Sequence, residues 1–454
     1  MKVVGLLILA TAALVALLAV DTTERTSEGA EAGGGDVPAI ASSPPCDGGL
    51  PSNSTNPLDG AKVIGLCSVT SAAWVLPDGT APGAGILTNY HKGHSIRSAF
   101  GSAIVPHEGN ALLLLSTGTA ADLGQTNPAY AETFEKGYGH GYPAGFATTT
   151  HRDGHPCPEP ASVTRDGVGL QVTVQAPAGA TGYSFDFDYH TRDSWEWACS
   201  PFVDYAAVMQ DGAGNVLLDA GGDPITVNSD WIVVCESHAG GYGSGAVPTN
   251  YACAGPGELA GTGFDSTGGN LGAPPGSVIG AATSWRTITG SVTGGQTYTF
   301  TFSIWDTSDE IFDSTIVFDN FQWIIPDADG DTVPDASDNC PLWPNPSQSL
   351  PPWPVPASDP DCDGFNDADE ASIGTDPADA CRDNLSDDAW PPDFDRNGVV
   401  NILDVYQLLP PAFGSVAGSG NPNYTARKDI RPDGVINIFD IFLVLPPTFG
   451  SVCT

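Results

Sequence analysis

Residues 297–304 read Thr-Tyr-Thr-Phe-Thr-Phe-Ser-Ile, an unbroken alternation of hydroxyl and large apolar side chains. Successive side chains of a β-strand point to opposite faces, so Tyr298, Phe300, Phe302 and Ile304 share one face and Thr297, Thr299, Thr301 and Ser303 the other. This is a half-buried strand. The same period recurs where Tyr183, Phe185, Phe187 and Tyr189 alternate with Ser184, Asp186, Asp188 and His190, and again at Leu170, Val172 and Val174. The runs Ala111–Leu115 and Thr315–Phe318 read as buried strands. Many short strands between Gly- and Pro-rich turns predict two packed antiparallel sheets, a jelly-roll-like β-sandwich over residues 61–325.

Composition agrees with a mainly β protein. Gly (55) and Pro (39) are abundant and long amphipathic patterns scarce, which favours all-β modules over helical bundles. A chain of 454 residues has room for two or three domains. Its formal net charge of -39 excludes nucleic acid and anionic membranes as partners, because those need clustered Lys and Arg. Divalent cations are the natural counterpart. Met1–Val20, one Lys followed by an apolar run, has the pattern of a secretory signal peptide, with an uncleaved N-terminal anchor as the alternative. Residues 21–60 read as a linker rich in small and polar residues. Ten cysteines, none in a Cys-x-x-Cys pair, fit disulfides in a secreted or cell-surface, extracellular protein.

At Pro326 the sequence turns to Asp, Pro and Asn, which marks a domain boundary, and Leu350–Pro356 (LPPWPVP) predicts a stiff, extended spacer. Calcium takes six to eight oxygen ligands, and a 12-residue loop delivers them from positions 1, 3, 5, 7 (by its carbonyl), 9 and 12. Four segments have that spacing. The first carries Asp327, Asp329, Asp331, Val333, Asp335 and Asp338; the second carries Asp359, Asp361, Asp363, Phe365, Asp367 and Glu370. A third carries Asp393, Asp395, Asn397, Val399, Asn401 and Asp404. In the fourth, Asp429, Asp433, Val435, Asn437 and Asp440 stand at the ligand positions but Arg431 replaces the oxygen ligand at position 3. That loop either binds calcium with Arg431 turned aside or paired to a carboxylate, or does not bind. The third and fourth loops open a repeat, since 399–416 (VVNILDVYQLLPPAFGSV) matches 435–452 (VINIFDIFLVLPPTFGSV) at an offset of 36 residues.

These segments carry family resemblances. Residues 327–341 (DADGDTVPDASDNCP) with 345–348 (NPSQ) resemble thrombospondin type 3 repeats, and 359–381 resembles their bacterial relatives, which implies a calcium-wrapped stiff region over 326–382. The duplicated unit resembles a type I dockerin, which implies a small α, EF-hand pair over 388–454 and a cohesin-like or other surface protein as partner. The helices expected after its loops, about 402–409 and 438–445, end at Pro410-Pro411 and Pro446-Pro447 and are short for a cohesin-binding dockerin. Ile402-Leu403 and Ile438-Phe439 replace Ser-Thr recognition residues, so cellulosome membership is not implied. Within the sandwich, 106–117 (PHEGNALLLLST), 194–211 and 305–323 (WDTSDEIFDSTIVFDNFQW) resemble the L-type choice-of-anchor domain, an exported module. A two-fold packed duplication brings its ends together, which predicts a Cys381–Cys453 disulfide, with Cys340 paired to Cys362 and the other six cysteines bridging within the sandwich and its leader.

Catalytic templates are missing: no Gly-x-Ser-x-Gly occurs, and His107-Glu108 opens a zincin-like motif with Ala111 at the second histidine. His91 and His94 lack a third metal ligand at useful spacing and read as a surface turn. Trp195, Trp197 and Trp231 are either a sugar-stacking platform or packing, and the cluster Asp306, Asp309 and Asp313 is a candidate structural cation site. The chain therefore reads as a non-enzymatic, calcium-binding attachment protein whose sandwich binds a ligand, an extracellular glycan being the candidate. The rivals are a polysaccharide- or peptide-degrading enzyme and a lectin.

Overall fold

The structure, a computed structural model, describes residues 44–152, 154–193, 197–236, 253–268, 276–381 and 387–453. The N-terminal apolar segment, the linker up to residue 43, Trp195 and most of the Gly-rich stretch 239–276 lie outside them. Two six-stranded antiparallel sheets form the sandwich. In the first, Thr164–Gln175 and Thr297–Thr307 pair at the centre, flanked by Ser71–Val75 and by Tyr205–Gln210 with Gly214–Asn215, and Gly139–His140 adds to Thr164–Gln175. In the second, Gly182–Thr191 and Ser314–Ile324 pair at the centre, followed by Leu112–Ser116 and His94–Arg97 on one side, with Ala281–Ala282 and Arg286–Ser291 on the other.

The alternation read from the sequence sets which side chains meet between the sheets. Val168, Leu170, Val172, Val174, Phe300, Phe302 and Ile304 from the first sheet pack against Tyr183, Phe185, Phe187, Tyr189, Ile316 and Phe318 from the second, all buried. Their rings meet edge to face, with centroids 5.0 Å apart for Tyr183 and Phe300 and 5.1 Å for Phe302 and Phe318, the arrangement that aligns ring edges with π-faces. The outer face departs from the half-buried expectation, because Thr301 and Ser303 are buried too. Thr301 accepts from Gln171 Nε2 (3.3 Å) and Ser303 donates to the Ala207 carbonyl (3.4 Å), so hydroxyls rather than solvent satisfy this central strand. Leu112–Ser116 is apolar on both faces for a visible reason. Leu113 and Leu115 face the main core, while Leu112 and Leu114 join Phe100, Ile104, Leu259, Phe264 and Val317 in a second cluster.

The C-terminal third has its own core. Helices Asp367–Ile373, Ile402–Leu408 and Ile438–Val444 are each seven residues long, too short to stand alone in water, so packing must hold them. Each begins at an Asn N-cap: Asn366, Asn401 and Asn437. Val405, Leu408, Ile441 and Val444 converge with Val400, Ile430 and Ile436, and the same cluster takes in Trp353, Phe365, Ile373 and Trp390. The Pro-rich segment is accordingly not the free spacer its composition predicts. Trp353 is buried, its indole donates to the Cys362 carbonyl (2.8 Å), and its ring lies 5.3 Å from that of Trp390.

The duplication packs as a pseudo-two-fold. Val399 bridges Val452, and its repeat equivalent Val435 bridges Val416, so the tail of each copy pairs with the loop of the other. The chain ends meet as a consequence, and Cys381 is bonded to Cys453 with Cα atoms 5.4 Å apart. The other disulfides are Cys46–Cys67, Cys157–Cys199, Cys235–Cys253 and Cys340–Cys362. Among the described residues no helix is long and apolar enough to cross a membrane.

Candidate functional site

All four Asp-rich segments fold by the same two hydrogen bonds. The position-1 carboxylate accepts from the position-6 amide: Thr332 to Asp327 (3.1 Å), Gly364 to Asp359 (3.0 Å), Gly398 to Asp393 (2.6 Å) and Gly434 to Asp429 (2.8 Å). The position-5 oxygen accepts from the position-7 amide: Val333 to Asp331 (2.7 Å), Phe365 to Asp363 (2.8 Å), Val399 to Asn397 (2.8 Å) and Val435 to Asp433 (3.1 Å). Both bonds require a sharp turn at position 6, where the backbone is left-handed, with φ +78° at Thr332, +100° at Gly364, +79° at Gly398 and +88° at Gly434. Glycine takes that conformation without steric cost; Thr332 does not.

Three of the loops gather carboxylates. Asp327, Asp329 and Asp331, then Asp359, Asp361 and Asp363, then Asp393, Asp395 and Asp404, each offer oxygens lying within 4.8 Å of one another. Like charges this close repel, and burial removes the water that would screen them, so the arrangement costs free energy unless something positive sits among them. The first two loops also leave buried oxygens without any hydrogen-bond partner: Asp329 Oδ2, Asp338 Oδ2, Asp359 Oδ1, Asp361 Oδ2, Asp363 Oδ2 and Glu370 Oε2. Burial, reinforced by its carboxylate neighbours, pushes Asp361 and Glu370 each up to about 8 and Asp363 well above the usual carboxylate range. Hard oxygens with spare lone pairs on a short loop are the donor set calcium takes, so these residues fit that ion.

Other expected ligands are placed differently. Asp335 accepts from the Ala328 amide (2.7 Å) and Asp367 is exposed on the first turn of its helix. Asn401 and Asn437 are engaged as N-caps, accepting from Leu403 and Phe439 (both 2.8 Å) and donating to the Val399 (2.9 Å) and Val435 (2.8 Å) carbonyls. In the fourth loop Asp429, Asp433 and Asp440 do not form such a cluster. Arg431 occupies position 3, its guanidinium 4.8 Å over the Phe439 ring and 3.9 Å from Asp433, while the Tyr424 hydroxyl donates to Asp429 (2.8 Å).

Within the sandwich, His94 is buried rather than in a surface turn: it opens strand His94–Arg97, stacks on Trp74 at 3.7 Å, and lies 2.8 Å from His91. His107 pairs with Asp186 (2.8 Å), which is also bonded to Asn320 (2.9 Å) and Thr287 (2.6 Å), a closed polar network on the outer face. Trp231 packs against the main core and Trp197 lies 5.4 Å from Phe202, so these two rings are packed rather than arrayed for stacking on sugar. A cleft of about 510 Å³ is lined by Asn53, Thr88, His91, Lys92, Asn127 and Phe134. At one end of the sandwich Asp166, Asp193, Asp204, Asp306 and Asp313 are all buried, whereas Asp309, grouped with Asp306 and Asp313 by the sequence reading, is only half-buried. The missed signal for Asp166 and Asp193 was parity, since each continues the inward-facing row of its strand.

No family model matches the chain, and no curated protein matches it. Among solved structures it is similar to the K2 cleaved adhesin domain of Lys-gingipain, at 14% identity over 56% of this chain and 88% of that one, with a TM-score of 0.21. It is similar to TmCBM61, solved with β-1,4-galactotriose, at 8% identity over 61% and 99%, with a TM-score of 0.18. For the K1 cleaved adhesin domain of Lys-gingipain from Porphyromonas gingivalis W83 the figures are 12% identity, 56% and 97% coverage, and a TM-score of 0.18.

Proposed function

We propose that the chain is an extracellular, non-enzymatic binding protein in which calcium holds the C-terminal third rigid and the duplicated, dockerin-like pair attaches it to a cohesin-like or other surface protein. The reading rests on one observation. Ile402, Leu403 and Tyr406, and their repeat equivalents Ile438, Phe439 and Phe442, are 44–60% exposed although the opposite faces of both helices are fully used in the core. Related in pairs by the pseudo-two-fold, they present exposed aliphatic and aromatic side chains of the kind that protein partners cover. Calcium in the adjoining loops fixes the start of the first helix, through Asp404 at its third residue, and so holds half of that surface in place. Loops of this kind in extracellular modules bind at about 10⁻⁴ to 10⁻³ M, so ambient calcium acts as a structural element rather than a switch.

For the sandwich the reading is ligand binding. The Asn, Thr and His side chains around the 510 Å³ cleft supply the amide and hydroxyl partners that a glycan needs. Titrating the calcium-loaded chain against purified cohesin modules tests the attachment. Saturable binding should weaken at least tenfold in Leu403→Asp/Phe439→Asp, and no binding by the wild type removes the cohesin reading. Turnover of polysaccharide or casein, lost on changing one sandwich carboxylate, would establish the enzymatic rival instead.

A further inference from the structure

The inward-facing rows of the sandwich end in acids. Along Thr164–Gln175 the row Val174, Val172, Leu170, Val168 continues to Asp166. Phe300, Phe302 and Ile304 continue to Asp306, where the pairing with Thr164–Gln175 shifts register. Val208 and Ala206 continue to Asp204, just before strand Tyr205–Gln210. In the second sheet Phe185, Phe187 and Tyr189 continue to Asp193, just past strand Gly182–Thr191, and Asp313 immediately precedes the neighbouring strand Ser314–Ile324. Antiparallel pairing brings all five to the same end of the sandwich.

Their hydrogen bonding is uneven. Asp166 accepts from the Lys136 and Tyr138 amides (2.5 and 3.1 Å), and one Asp313 oxygen accepts from the Phe134 amide (2.8 Å). Asp204 meets the Asp306 carboxyl and the Ser314 side chain and has a long contact from the Thr117 hydroxyl (3.5 Å), and Asp193 accepts from the Asp204 amide. Asp306 is 1% exposed and, apart from its contact with the Asp204 carboxyl, its oxygens have no hydrogen-bond partner; Asp313 Oδ1 is likewise buried and unpartnered. Glycine at 118 leaves room for this group, since a Cβ there would fall 2.0 Å from Asp313 Oδ2. Lys136, buried with them, donates to the Ser116 carbonyl (2.7 Å), and Arg192, whose charge also reaches Asp313, is paired with Glu132, so the two positive charges do not balance five carboxylates.

We propose that Asp193, Asp204, Asp306 and Asp313 hold one calcium ion that ties the ends of the two sheets together, with the Lys136 charge offsetting that of Asp166 beside it. Calcium suits the site because the donors are carboxylates alone, and its flexible coordination of six to eight oxygens tolerates contributions from four separate chain segments. Burial and mutual repulsion push Asp193, Asp204 and Asp306 far above the usual carboxylate range, a cost that a divalent cation removes. The carboxylates stand less closely gathered than those of the C-terminal loops, whose oxygens lie within 4.8 Å, so binding would draw these segments inward.

The test is the number of calcium ions bound by the full chain in equilibrium dialysis at about 10 mM free calcium, which fills loops of this affinity, for wild type, Asp306→Asn and Asp204→Asn. Each variant should retain one ion fewer, and adding Glu370→Gln should remove a further ion independently. Wild-type counts in both variants would overturn the site and leave Lys136 and Arg192 as the counter-ions. A second measurement needs no variant: adding calcium to chelated wild-type chain should slow amide exchange at least tenfold in peptides spanning 203–210 and 300–318. Unchanged exchange there would equally overturn it.

Discussion

Removing the Cys381–Cys453 bridge tests the two-fold packing of the C-terminal pair most directly. The bridge closes a 72-residue loop, for which chain entropy gives about 4 kcal/mol of stabilisation, an upper bound because the reduced chain keeps some structure. What the native state retains without it can be read from the ladder beside it. The Cys453 amide donates to the Gly398 carbonyl (3.0 Å), Val400 to Ser451 (3.1 Å), and Gly450 to Val400 (2.8 Å). These bonds contribute about 1 kcal/mol each and persist only while the tail stays docked. Cys381→Ser/Cys453→Ser should therefore fold in saturating calcium but open more easily, by about 2 to 4 kcal/mol. Hydrogen exchange followed by mass spectrometry reads this as roughly 30- to 1000-fold faster exchange in peptides covering 398–416 and 434–453. Peptides of the sandwich strands should not change. Acceleration of less than threefold in the C-terminal peptides would mean that the bridge does not constrain the pair and that the reasoning is wrong.

Replacing Arg431 by Asp puts an oxygen at position 3 of the fourth loop, and equilibrium dialysis should find one further calcium per chain; an unchanged count would show that Arg431 is not what prevents that loop from gathering its carboxylates. Thr332→Gly should raise the calcium-loaded melting temperature, because it relieves a left-handed β-branched residue (φ +78°) that costs about 1–2 kcal/mol, less up to about 1 kcal/mol for the freer unfolded chain; a lower melting temperature refutes it. In chelator, the C-terminal third should lose stability as pH rises from about 4 towards 8. Asp361 and Glu370 are pushed up to about 8 in the fold, so the folded state binds more protons than the unfolded state across that window and each proton released counts against it. Calcium should abolish this slope, and a chelated protein that melts at the same temperature at pH 5 and pH 8 would contradict the assignment.

Local spacing made much of this molecule legible. A period of two is a property of consecutive residues, so Thr297–Thr307 and Gly182–Thr191 were readable as strands with known inward faces. A 12-residue loop is equally local, and the four loops, with glycine at position 6 in three of them, close by hydrogen bonds that never leave the segment. Even the Cys381–Cys453 pairing followed from the 36-residue repeat, since a duplicated unit packed on itself must bring its ends together. Tertiary structure decided what depends on partners distant in the chain. Trp353 lies in a Pro-rich stretch whose composition points to a spacer, and only the Cys362 carbonyl and the Trp390 ring turn it into core. Asp166, Asp193, Asp204, Asp306 and Asp313 stand on five segments; spacing alone groups Asp306 with Asp313, and only the antiparallel closure of two sheets buries the five together. Charge density is a property of space rather than of sequence, and it is set by which strands become neighbours.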